Sequence, residues 1–185
     1  MPSGAGRVLL MCGLPGSGKT TLARRLAAQR AAVRFTPDEW LAQLGLDPFD
    51  EAARAVLEER LWGLGQVLAQ AGVTVVLDYG FWSRAERDEK RQWCRSHGVG
   101  VELHVCAEPF DVLVERVTGR TARAEPAAVP LTREHLSSYL PFFEGADEVE
   151  RGSYDDPGEY DDPGERSDVA ASAPGQTRCR GTLCT

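Results

Sequence analysis

The chain has 185 residues, enough for one domain with a tail, and its 42% hydrophobic content is enough to fill a core. Its net charge of −7 argues against broad, salt-driven nucleic-acid binding, which needs a basic face. No apolar run approaches the ~20 residues that span a bilayer, and the N-terminal residues lack a signal-peptide pattern, so a cytoplasmic protein without membrane contact is expected.

The charge is unevenly spread. Residues 1–144 hold 17 basic and 18 acidic side chains, whereas residues 145–168 hold 2 and 10. A near-neutral domain with an acidic tail follows, and we place the domain at residues 1–149 and the tail at 150–185. The tail contains the tandem six-residue repeat Tyr154–Glu159 and Tyr160–Glu165, rich in Asp, Pro and Gly and unable to bury a core. A disordered, low-complexity acidic segment is expected there. The five cysteines form no CxxC, and the three histidines have no metal-ligand spacing, so reduced thiols are expected.

Val8 to Cys12 is a continuous apolar run ended by glycine, the pattern of a buried strand. A helix follows from Lys19 to Ala31, then a short strand at Val33–Phe35. The stretch Thr36-Pro37-Asp38-Glu39 predicts a helix start: a capping box from Thr36 and Glu39, Pro37 at the first position, Asp38 at the positive end. Gly45 ends that helix. Asp50 to Ala71 has apolar residues at helical spacing, with Gly63 and Gly65 either allowing close packing or making the helix irregular. Val73–Asp78 is the strongest strand. Ser83 and Glu86 suggest a second capping box for a helix to about His97. Val99–Cys106 is a fourth strand, and Pro109 opens a helix to Val117. A Gly- and Arg-containing stretch runs from Thr118 to Val129, and Thr132 caps a last helix. No fifth strand is evident. The alternation implies a three-layer α/β/α fold with a mainly parallel sheet, ligands binding at the carboxyl ends of the strands.

The segment Gly13-Leu14-Pro15-Gly16-Ser17-Gly18-Lys19-Thr20 matches GxxxxGK[ST] in full, between a strand and a helix. Glycines let backbone N–H groups converge on phosphate oxygens, and the following helix offers its positive end. Lys19 would sit between the β- and γ-phosphates, Thr20 would ligate Mg²⁺, and Thr21 completes the segment. A nucleoside triphosphate site is expected, with ATP and Mg²⁺ as cofactors, although no base-specific motif separates ATP from GTP.

Asp78, at the end of the strong strand, fits a carboxylate that holds Mg²⁺ directly, through water or through Thr20. The plain alternative is a strand-terminal turn residue. Arg116 and Arg120 are i,i+4 on one helix face, and Arg123 follows; they suit either a phosphate-clamping lid or a solvated helix end. Phe81, Trp82, Arg84 and Arg87 follow the third strand and fit an acceptor pocket or packing under the next helix. Trp62 and Trp93 are expected in the core. Asp38 is either a helix-start residue or a base on a hydroxyl, and the two roles are compatible.

Together these segments resemble the small P-loop kinases: polynucleotide 5′-hydroxyl kinase domains, chloramphenicol phosphotransferase and zeta-toxin-like kinases, many relatives being labelled AAA-family ATPases. The resemblance covers about residues 7–145 and implies a nucleoside-kinase-like P-loop fold. It implies that Asp38, just after the second strand, is general base, with Lys19, Arg116 and Arg120 completing catalysis. It also implies that Arg123 reaches the nucleotide. A kinase acting on a small-molecule hydroxyl is the leading expectation. A polynucleotide 5′-hydroxyl kinase is an alternative that the near-neutral domain disfavours, and a nucleotide-dependent switch with a partner-binding tail is another. The acceptor and the oligomeric state are not readable from the sequence.

Overall fold

A computed structural model describes residues 6–123 and 129–156. Strands β1 (Arg7–Cys12), β2 (Val33–Phe35), β3 (Thr74–Gly80) and β4 (Gly100–Val105) form one sheet in the order β2-β3-β1-β4. Every pairing is parallel: Leu10 lies beside Leu77 of β3 and Leu103 of β4, and Phe35 pairs with Leu77. The two inner strands are buried on both faces, which is why they read as continuous apolar runs.

Helices cover both faces. One apolar cluster joins Val8, Leu10, Val75 and Leu77 to Phe35, Leu61, Trp62 and Cys94. The other joins Leu9, Met11 and Val76 to Ala23 and Leu26 of α1 (Lys19–Gln29). The expected three-layer α/β/α architecture is what the chain adopts. Helix α2 (Pro37–Leu44) ends at Gly45 with φ +67°, a left-handed cap that glycine adopts without strain. Helix α3 (Glu51–Gln70) is continuous through both glycines. A Cβ on Gly65 would stand 3.5 Å from Val75 Cγ1, ordinary van der Waals contact, so the packing of α3 on β3 does not require glycine there. Trp62 is buried, and Trp93 packs edge-on against it with ring centroids 5.2 Å apart.

Helix α4 (Arg84–Ser96) follows Ser83, whose hydroxyl accepts from the Glu86 N–H. Helix α5 (Phe110–Ala122) continues beyond the expected end at Val117, because Thr118 and Gly119 do not interrupt a helix whose inner face, Leu113 and Val117, stays buried. Arg120 therefore lies within the helix and Arg123 at its cap. Residues 124–128 of the expected Gly/Arg stretch lie outside the described residues. Helix α6 (Arg133–Tyr139) begins at Thr132, where a capping box with His135 is complete.

The expected boundary at residue 149 falls inside a packed element. Helix α7 (Glu148–Arg151) places Glu150 in the interior, Tyr154 is buried, and Asp155 accepts from the Val101 N–H at 2.8 Å. The acidic composition hid this, because Glu150 and Asp155 are bound by Arg87 and Arg95 from α4. The repeat from residue 157 onward lies outside the described residues. No helix is long and apolar enough to cross a membrane among the described residues.

Candidate functional site

A cleft of about 1120 Å³ opens at the carboxyl ends of the strands. The loop between β1 and α1 forms its floor. Gly16 and Gly18 have φ of +87° and +93°, conformations that turn the backbone inward and that glycine tolerates. Ser17 is buried, and its hydroxyl has no hydrogen-bond partner among the described residues. Pro15 to Thr21 line the cleft. Gly13 and Leu14 lie behind them. The Gly13 N–H donates to Gly80 O, and Leu14 packs on Leu113 and Leu136 of α5 and α6.

Lys19 Nζ donates to Leu14 O at 2.8 Å. Burial lowers the pKa of its ammonium, and Asp78 and Asp38 oppose that effect. Asp78 is buried at the end of β3, hydrogen-bonded to Thr20 and paired with Arg34 at 3.0 Å. Burial raises its carboxyl pKa, with Lys19, Thr20 and Arg34 pulling the other way. The hydroxyl and carboxylate expected to serve a metal thus stand side by side.

The helix start at Asp38 differs from the capping expectation in one respect. Thr36 occupies the N-cap and Pro37 the first position, but Thr36 makes no side-chain cap. Glu39 is drawn instead to Arg24 at 2.7 Å and Arg34 at 2.6 Å. Asp38 is half-exposed, lines the cleft and accepts from Arg54 Nη2 at 2.6 Å. Arg54 also faces Glu58, one turn along α3, at 3.6 Å.

Arg116, Arg120 and Arg123, from α5 and its end, all line the cleft as well. Arg116 donates to Gly16 O at 3.2 Å and pairs with Glu108 at 2.9 Å, which ties α5 to the phosphate loop. Phe81 and Trp82 pack against the fold and also line the cleft. Phe81 is buried yet borders the cleft, and Trp82 Nε1 donates to Gly13 O at 3.1 Å. Arg87 faces the interior instead. It is fully buried, bound to both Glu150 oxygens, and donates to the carbonyls of Phe81, Trp82 and Glu144.

Sequence reading missed much of the wall facing Asp38: Glu51, Arg54, Glu58, Tyr79 and Glu86, with Tyr139 above. The signal that could have found part of it is the i,i+4 series Asp50, Arg54, Glu58, one stripe of α3. Glu58 carries the largest useful perturbation here: burial lifts its carboxyl pKa from the ordinary 4.5 to about 7 despite Arg54 beside it.

A parallel sheet in this order, with a glycine-rich loop feeding a helix at its carboxyl edge, defines a P-loop nucleotide-binding protein of the kinase type. The AAA domain family AAA_33 matches residues 8–145, and the chain belongs to that family. Similar solved structures include Kti12 from Chaetomium thermophilum in complex with ADP-AlF3, at 17% identity and TM-score 0.61, covering 77% of this chain and 82% of that one. The Mycobacterium tuberculosis APS kinase CysC, solved with AMPPNP and APS, is 25% identical with TM-score 0.51, covering 69% of this chain and 77% of that one. A chain of the Pnkp1/Rnl/Hen1 RNA repair complex is 16% identical with TM-score 0.62, covering 81% of this chain and 46% of that one. No curated protein sequence matches this one significantly.

Proposed function

We propose that the protein is an ATP-dependent kinase that transfers the γ-phosphoryl group to a hydroxyl of a small molecule. The observation that carries this reading is the joining of Asp38 to the phosphate loop in one cleft, close enough for its charge to act on Lys19. The loop and Lys19 would hold the phosphates. Asp38, fixed by Arg54, would accept the proton as the acceptor oxygen attacks the γ-phosphorus and the bond to ADP breaks. Arg116 and Arg120, with Arg123 at the end of α5, would stabilise charge on the transferring group.

Mg²⁺ fits the donors present. Thr20 and Asp78 offer a hydroxyl and a carboxylate in contact, the hard oxygen ligands that suit this ion. Among the described residues no group of three or more acidic, histidine or cysteine side chains could hold a metal alone, so the nucleotide phosphates would complete its shell. The ion would neutralise phosphate charge.

The test is Asp38→Asn, measured for ATP binding and for transfer. ATP binding should persist while turnover falls ~10²–10⁴-fold, the usual loss for a general base. Turnover at the unsubstituted rate would leave Asp38 only its place at the helix start.

A further inference from the structure

The cleft has two chemically different halves. The phosphate half is basic, with Lys19 and the arginines of α5. The other half, beyond Asp38, carries the carboxylates of Glu51, Glu58 and Glu86. One cation of that half, Arg54, is already bound to Asp38 at 2.6 Å and to Glu58 at 3.6 Å. On α4, Lys90 and Arg87 act on Glu86; Lys90 is also held by Glu89 at 2.8 Å and lies over the Trp62 ring, and Arg87 is bound to Glu150. The half is therefore net negative, with Tyr79 and Tyr139 as aromatic walls.

From this charge pattern and lining we propose that the acceptor is a hydroxyl compound bearing an ammonium group. The inference rests on the kinase reading and names its substrate class. An ammonium has three N–H donors and no acceptor. Glu58 and Glu86 offer carboxylate oxygens on one wall, and Glu86 is close enough for its charge to act on Glu58. The Tyr79 hydroxyl, on β3, is buried and has no hydrogen-bond partner among the described residues. Burial raises the pKa of both carboxyls, a cost that a bound cation removes. Tyrosine faces also attract a cation. A metal ion is the poorer occupant, because no group of three or more suitable ligands gathers among the described residues. Phosphate- or carboxylate-bearing acceptors would enter against like charge, which disfavours oligonucleotides and sugar acids.

The experiment uses the full chain, γ-labelled ATP and Mg²⁺, with a small-molecule extract first split by ion exchange into cationic, neutral and anionic pools. Label should appear on a compound of the cationic pool. Acetylating that pool's amines beforehand should abolish it, and Glu58→Gln together with Glu86→Gln should raise the KM for that compound at least tenfold. Label arising only from the neutral or anionic pool, or surviving acetylation, overturns the amine proposal and leaves the kinase standing. Label released only as free phosphate from all three pools overturns the kinase reading and this proposal with it.

Discussion

Glu58→Gln should make the protein more stable at alkaline pH, and the size of the gain can be worked from the site. Glu58 lies at 26% side-chain exposure between Arg54, Tyr79 and Glu86, and burial raises its pKa from 4.5 to about 7. At ~1.4 kcal/mol per pH unit, holding that carboxylate ionised in the fold costs about 3 kcal/mol above pH 7. The sign follows from proton binding. The unfolded chain releases this proton near 4.5 and the folded chain near 7, so stability from this group is full below 4.5 and is lost as pH rises through 7. Glutamine has no proton to lose and keeps the shape. The rise to about 7 is already net of the opposing pull of Arg54, so the whole ~3 kcal/mol is the expected gain. Urea midpoints of both proteins at pH 5 and pH 8.5 measure it. The variant should exceed its parent by less than ~1 kcal/mol at pH 5 and by ~3 kcal/mol at pH 8.5. Equal midpoints at both pH values would show that Glu58 is solvated as an ordinary carboxylate, and the electrostatic basis for an ammonium-binding wall would go with it.

On the proposed reading, Lys19→Met would remove a charge-assisted contact to phosphate worth ~1.5–3 kcal/mol, so the Kd for ATP should rise about 10- to 100-fold in a calorimetric titration. Glu150→Ala leaves the fully buried Arg87 without its carboxylate and should cost ~3–5 kcal/mol in the unfolding free energy from a urea titration. Gly16→Ala places a Cβ at 2.9 Å from Leu113 O with φ at +87°. Nucleotide binding should weaken together with stability by more than ~1 kcal/mol, read as a lowered melting temperature and a raised Kd.

Several elements were legible because their causes are local. A strand buried on both faces must be apolar throughout, as β1 and β3 are, and a GxxxxGK[ST] loop between strand and helix carries its own phosphate chemistry. Pro37 and Gly45 mark the ends of α2 through backbone constraints that belong to single residues. The capping box at Thr36 failed because its Glu39 is claimed by arginines from α1 and β2, partners that local spacing does not reveal. The end of α5 was missed because burial of Val117 outweighs the weak helix propensity of Thr118 and Gly119.

The sequence by itself determined that this chain folds as alternating strands and helices around a phosphate loop, since periodicity and motif act over a few residues. Only the tertiary structure decided what faces that loop. It brought Arg54 to Asp38 across 16 positions, and Arg87 to Glu150 across 63, turning an acidic stretch into a packed end of the domain. It also set Glu58, Tyr79 and Glu86, from three separate elements, on one wall of the cleft. Each of these meetings depends on how helices lie across the sheet. Burial then changes what the same side chains would do in water.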